Sequence, residues 1–198
     1  MADNYKSFAE LEAGKKRGTD YDFWSVDRES PIVILAPHGG WIEPVTSTVA
    51  KAIARDDHSI YAFEGLKPGL PHGELHITSY RFDEPDALGL VQSAETAIAV
   101  HGRQDMGDPH SVCLGGLDHG LRDAIAASLV AAGFPVAIAP PGEMAAHHPE
   151  NICNRGRSAG GVQLELPRSL RSRLKQDPAA LQSFSEAVRQ ALQNRPKP

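Results

Sequence analysis

The chain has 198 residues, 41% apolar and 23% charged, with a formal net charge of −5. That is enough for one domain with a sizeable core, of ordinary globular composition. The mild acidity gives no nucleic-acid footprint, and no run of about 18 apolar residues is present to span a membrane. The first seventeen residues, Met1 to Arg17, are polar and lack the apolar core of a secretory signal. A cytoplasmic location is therefore expected, although release by lysis would leave no mark in the sequence. The two cysteines, Cys113 and Cys153, lie in apolar-flanked stretches without a CxxC motif and read as reduced core residues.

Helical and strand-like segments alternate along the chain. The pattern predicts a helix over Phe8–Lys15 and a strand over Pro31–Ala36, then a helix from Pro44 to Arg55 with proline at its first position. Strands follow at Ser59–Phe63 and Leu75–Ser79, a helix at Pro85–Gln92, and strands at Ala94–Val100 and Ser111–Leu114. Apolar residues at helical spacing, stopped by Gly133, mark a helix over Asp118–Ala132. Strands at Pro135–Ala139 and Val162–Leu166 and a helix at Pro178–Asn194 complete the set. The Val/Ile/Ala-rich strands mostly lack strict alternation, as expected of strands covered on both faces. The order implies a single α/β domain over residues 1–198, a mixed twisted sheet flanked by helices. Lys67–Gly73 and Pro140–Pro149 read as surface loops, and about seven N-terminal and five C-terminal residues are expected to fray.

The stretch Pro37-His38-Gly39-Gly40-Trp41-Ile42-Glu43 carries the strongest chemical signal. A histidine sits at a strand end and a carboxylate where a helix is expected to begin, with two glycines between them for a sharp bend. His101 repeats the strand–histidine–glycine arrangement before Gly102. His38, Glu43 and His101 together would form a His-Glu-His set with one open metal position, the pattern of a catalytic zinc site. On the residues alone, both histidines could equally be loop residues making ordinary hydrogen bonds.

Glu165 lies in Gly161-Val162-Gln163-Leu164-Glu165-Leu166, where the apolar residues face one way and Gln163 and Glu165 the other. A carboxylate inside such a strand is costly unless it has a partner or a task. It is the candidate general base, against a solvent-facing or ion-paired glutamate. Five arginines (Arg155, Arg157, Arg168, Arg171, Arg173) against one acid, Glu165, fill the stretch from Asn151 to Arg173. Such a patch suits an anionic substrate but equally describes a solvated helix surface.

Taken together, the chain resembles the phage-type poly-γ-glutamate hydrolases. The resemblance rests on ordered short motifs over about residues 8–190: Pro37-His38 with Gly40, Ile42 and Glu43; Gly65-Leu66; Leu75-His76 with Thr78-Ser79; Phe82-Asp83-Glu84-Pro85; His101-Gly102; Gly115-Gly116-Leu117; Leu121-Arg122; Asn154-Arg155; and Gly161-Val162-Gln163-Leu164-Glu165. It implies a zinc carboxypeptidase-like core and one zinc ion held by His38, Glu43 and His101. It also implies Glu165 as catalytic glutamate and a substrate grip from Asn154, Arg155 and Arg122, with Arg155 also steadying developing charge. In carboxypeptidases the Asn-Arg pair precedes the last zinc histidine; here it follows, so that analogy is spatial at best. The four residues between His38 and Glu43 likewise depart from the carboxypeptidase His-x-x-Glu spacing and agree with the phage-type family. The implied partner is an anionic polymer or a small γ-glutamyl compound, not nucleic acid or membrane. Competing readings are a zinc deacylase of small N-acyl amino acids and a metal-free, phage-related binding module. Oligomeric state is not encoded in any of these features.

Overall fold

The computed structural model describes residues 3–140 and 142–194. One seven-stranded sheet organises it, in the order β1-β3-β2-β4-β7-β5-β6. The strands are β1 (Tyr21–Val26), β2 (Ile32–Gly40), β3 (Ser59–Gly65), β4 (Thr96–Arg103), β5 (Val112–Gly115), β6 (Val136–Ile138) and β7 (Val162–Pro167). β3, β2, β4 and β7 run parallel; β1 is antiparallel to β3, and β5 is antiparallel to β7. The expected mixed α/β sheet is therefore present. The helices are α1 (Phe8–Gly14), α2 (Thr46–Ala54), α3 (Pro85–Ser93), α4 (His119–Ala131), α5 (Arg168–Gln176) and α6 (Pro178–Gln193).

Each face of the sheet buries its own core. Ile34, Val100, Val162 and Leu164 point towards α2, α4, α5 and α6, against Val49, Ile125, Leu174 and Phe184. Val33, Leu35, Tyr61, Phe63 and Ala99 pack on the other face with Phe8, Leu11, Phe82 and Ile152. Alternate residues of one strand thus feed two cores, so the strands read as continuous apolar runs.

Four differences from the sequence reading have physical causes. Leu75–Ser79 is not a strand: it is an irregular segment after a short 3-10 turn at His72–Glu74, and its Leu75 and Ile77 are buried without ladder pairing. Strand β1 escaped notice because its residues beyond Tyr21 are only partly buried or exposed, as suits an edge. Helix α5 also went unrecognised, since its polar sequence RSLRSRLKQ carries its buried side chains only at Leu170, Arg171 and Leu174. Residues 3–7 are not frayed: Asp3 bonds to His76 and Thr78, and Asn4 bonds to Gly73 and Glu74. The expectation for the extreme C-terminus, 195–198, falls outside the described residues. Among the described residues, no helix is long and apolar enough to cross a membrane.

β2 leads through α2 to β3 on one side, whereas β4 lies on its other side. The carboxyl ends of β2 and β4 therefore flank a topological switch point, where open α/β sheets bind ligands.

Candidate active site

His38 lies within β2, not at its end, and a bulge explains why a proline can precede it. The β2–β3 register shifts between Ala36 and Gly39, so Pro37, which cannot donate to a ladder, sits where pairing is broken. The β2–β4 ladder stops at Leu35↔Ala99. Beyond that point the strands part, and the side chains of His38 and His101 enter the gap. Their Nδ1 atoms are 3.1 Å apart.

The turn after β2 delivers Glu43. Gly40 has φ +62, and a Cβ there would stand 2.3 Å from the Gly65 carbonyl oxygen, so only glycine fits. The Glu43 N–H then donates to the His38 carbonyl at 2.8 Å, closing the loop. Glu43 does not begin a helix as the sequence suggested. Pro44 follows it, Val45 takes φ +82, and α2 starts only at Thr46, whose hydroxyl donates to the Glu43 carbonyl. A β-branched residue at positive φ is strained by about 1–3 kcal/mol and persists only where surrounding bonds fix it.

These turns bring one carboxylate to two imidazoles. Glu43 Oε1 is 3.5 Å from His38 Nδ1, and Oε2 is 3.6 Å from His101 Nδ1. Oε2 also accepts from the Gly102 N–H at 2.8 Å. All three residues are buried. His38 Nε2 faces the Ile77 carbonyl at 2.8 Å. A carbonyl only accepts, so Nε2 carries the proton and Nδ1 presents a lone pair towards Glu43 and His101. His101 Nε2 faces the Ser79 hydroxyl at 3.4 Å.

Two further histidines crowd this centre. The His76 ring lies against His38, with centroids 4.0 Å apart and planes 36° from parallel, and its Nδ1 meets Asp3 at 2.6 Å. His72 stacks on His76 and brings Nε2 to 3.6 Å from Glu43 Oε1. His38, Glu43 and His76 each offer one donor atom within 4.8 Å of the others, so this region can hold a metal ion. In the sequence, neither His72 nor His76 stands out as a ligand.

Burial and mutual contact set the protonation of the group. Burial, then proximity to His76, pushes the His38 imidazolium pKa down to about 3. Burial alone would lower His101, but Glu43 and Glu165 outweigh it and raise its pKa. For Glu43 burial acts upward, yet the surrounding imidazoles hold it well below the usual carboxylate range. The centre thus holds an ionised carboxylate beside a neutral His38 imidazole.

Glu165 stands on β7 directly beside His101 in the parallel register. It is 8% exposed, which removes the solvent-facing alternative. Burial, with Glu43 nearby, raises its pKa to about 7, against the lowering effects of His101, Gln163 and Arg103. Gln163, two residues earlier on the same face, donates through Nε2 to Glu165 Oε1 at 2.8 Å, and Asn151 Nδ2 donates to the side-chain Oε1 of Gln163 at 3.1 Å. This amide chain fixes the carboxylate and was visible in the sequence only as the alternation of β7. Gln163→Leu is expected to lower kcat about 10-fold, the usual cost of losing an orienting partner, with KM changed less than twofold in steady-state assays.

The predicted substrate grip separates into parts. Asn154 is buried and its amide is spent on backbone: Oδ1 accepts from Leu117 and Gly161, and Nδ2 donates to Ala146 and His148. It pins the amino end of β7, whereas Glu165 lies towards the carboxyl end. Arg155 donates to the Glu150 and Tyr80 carbonyls and pairs with the Glu150 carboxylate at 3.1 Å. Tyr80 adjoins Ser79, which links Arg155 to the histidine neighbourhood. Arg122 pairs with Asp123 on α4. Of the other arginines in the basic stretch, Arg157 pairs with Glu95, and Arg171 is buried.

The sequence matches the model of the poly-γ-glutamate hydrolase family over residues 5–190. The chain belongs to the poly-γ-glutamate hydrolase family. It is 34% identical over 195 residues to the SPbeta prophage-derived protein YoqZ of Bacillus subtilis (strain 168), covering 98% of this chain and 67% of that protein. It is 35% identical to YndL of the same organism over 173 residues, covering 87% of this chain and 67% of YndL. Among solved structures, a bacteriophage poly-γ-glutamate hydrolase superposes with a TM-score of 0.88 at 28% identity, covering 97% of each chain. A zinc-free YndL superposes at 0.87 with 32% identity, covering 97% of this chain and 98% of that one. The chain is thus an enzyme of this hydrolase family, and its sheet and helices are those of the family's fold.

Proposed function

We propose that this protein hydrolyses γ-glutamyl amide bonds of poly-γ-glutamate, using one zinc ion held by His38, Glu43 and His101. The observation that carries the reading is the convergence of the three donors. The His38 and His101 Nδ1 atoms are 3.1 Å apart, and Glu43 brings Oε1 to 3.5 Å from the first and Oε2 to 3.6 Å from the second, spacings near the roughly 3.3 Å edge of a tetrahedron with about 2.0–2.1 Å zinc bonds. The donor set also fits chemically: His38 offers a lone pair because its other nitrogen donates to a backbone carbonyl, the usual support for a metal-bound imidazole. The His76 ring lies tilted against His38 and is tied to Asp3, an arrangement suited to buttressing His38.

When bound, zinc supplies Lewis acidity that polarises a carbonyl and acidifies water. Glu165 accepts the proton of the attacking water and returns it to the leaving amine. Gln163 holds the carboxylate in place for both transfers. Arg155 attracts an α-carboxylate of the γ-linked chain and helps offset developing charge. Every unit of such a polymer carries one carboxylate, so cationic side chains suit successive units. Arg122 is proposed as a further contact, whereas Asn154 acts through the backbone it pins.

The test is incubation with poly-γ-glutamate, with and without a chelator, followed by product sizing and metal analysis. Shortening of the polymer is expected, absent when the chelator is present from the start and restored by added zinc. Polymer left intact by zinc-loaded protein overturns the reading. The raised Glu165 carboxyl has its own signature. In metal-free protein its protonated C=O infrared band should persist at pH 6, well above the ordinary glutamate range of about 4.3, and vanish as pH rises through about 7. The band should be absent from Glu165→Gln difference spectra. Zinc should move it to lower pH, because a nearby dication favours the carboxylate.

A further inference from the structure

We propose that Arg171 is the positioning residue of the zinc centre, a single buried guanidinium that fixes the three backbone segments carrying Glu43, His101 and Glu165 relative to one another. The inference rests on the ligand reading above. Arg171 is 5% exposed and lies on α5, behind the ends of β4 and β7. Its Nε donates to the Leu166 carbonyl at 3.2 Å, one residue after Glu165. Its Nη1 donates to the Pro44 carbonyl at 2.7 Å, one residue after Glu43. Its Nη2 donates to the Arg103 carbonyl at 3.2 Å, two residues after His101. Three segments distant in sequence thus meet on one rigid, planar group, and each bond falls within two residues of a proposed ligand or base.

Gly102 supplies an independent observation. A Cβ at that position would lie 2.6 Å from Arg171 Cζ, 2.7 Å from Nε and 2.9 Å from Nη1. The guanidinium is pressed against the peptide between His101 and Arg103, and glycine is required there for space. That same peptide donates its N–H to Glu43 Oε2. The cation therefore backs the peptide that orients the metal carboxylate, and it also acts electrostatically on both Glu43 and Glu165. Lysine cannot reproduce this: its ammonium lacks the planar fork that reaches three separate carbonyls.

The deciding measurement is zinc affinity of the folded protein, read by competition with a chromophoric chelator, beside kcat and KM. Arg171→Lys and Gly102→Ala should each weaken zinc binding 10- to 100-fold, the range for groups that orient metal ligands, and lower kcat with KM within twofold. The double variant should be no worse than the poorer single one, since both disturb one contact. Lys175→Gln, on the exposed face of α5, should match wild type. Circular dichroism and thermal melts identify the folded fraction at which affinities are compared. If folded Arg171→Lys and Gly102→Ala bind zinc as wild type does, with only their melting temperatures lowered, Arg171 is a structural residue alone and the inference fails. If wild type itself binds no zinc, the ligand reading fails instead.

Discussion

Glu165→Gln is expected to keep its zinc and lose between 10²- and 10⁴-fold in kcat, the range carried by a positioned acid–base group. The substitution is nearly isosteric and the site is buried, so packing is retained. Gln163 now donates to Glu165 Oε1 at 2.8 Å and can equally donate to an amide oxygen. What disappears is the ability to take and return a proton. The elevated proton affinity of Glu165 matters here. Burial raises its pKa to about 7 in metal-free protein, and a bound dication would draw it back down, so pocket and ion act on this carboxylate in opposite directions. Zinc content by elemental analysis and turnover of poly-γ-glutamate decide the matter together. Full metal with no turnover supports the assignment, and full metal with near-normal turnover removes Glu165 from the proton path.

The order of difficulty in reading this chain follows the range of the contacts. His38 and His101 were legible because each joins an apolar run to a glycine. Glu165 was legible because β7 alternates, and alternation places Gln163 and Glu165 on one face without knowledge of any other strand. Glu43 was found by its nearness to His38, but the helix start expected there was wrong. Pro44 suits a first helical position, yet Val45 at positive φ and the Arg171–Pro44 bond delay α2 to Thr46. Arg171 was visible only as one more cation in a basic run. Its task depends on Pro44, Arg103 and Leu166 meeting, and no local pattern records that. The Asp3–His76 bond is hidden for the same reason, since 73 residues separate its partners. Asn154 shows the opposite error. A polar pair recognised by analogy as a substrate grip proves, at its first member, to spend its amide on four backbone groups and the Cys153 thiol.

His101→Ala should abolish both activity and the stabilisation that zinc confers, and it separates two ligand sets that the crowded centre allows. A ligand that binds only the folded state adds about 2.7 kcal/mol at a hundred times its Kd, which for a chain of this length is worth roughly 5–11 °C in melting temperature. Wild type should show that rise on adding zinc, and His101→Ala should not. The metal-free variant should also melt below metal-free wild type. His101 is buried against Glu43, and removing one partner of a buried pair leaves a carboxylate short of compensation at a cost of about 3 kcal/mol. His76→Ala supplies the contrast. Its ring backs His38 and its Nδ1 is engaged by Asp3, so this variant should keep a zinc-dependent rise of several degrees while losing some intrinsic stability. The reverse outcome, with the rise lost in His76→Ala and kept in His101→Ala, would move the metal to His38, Glu43 and His76, whose donors all lie within 4.8 Å of one another. It would also leave Glu165 beside an imidazole that holds no ion. Since the His101↔Glu165 register would place the proposed base next to a His101-bound ion, the same pair of melts tests the ligands and the position of the base at once.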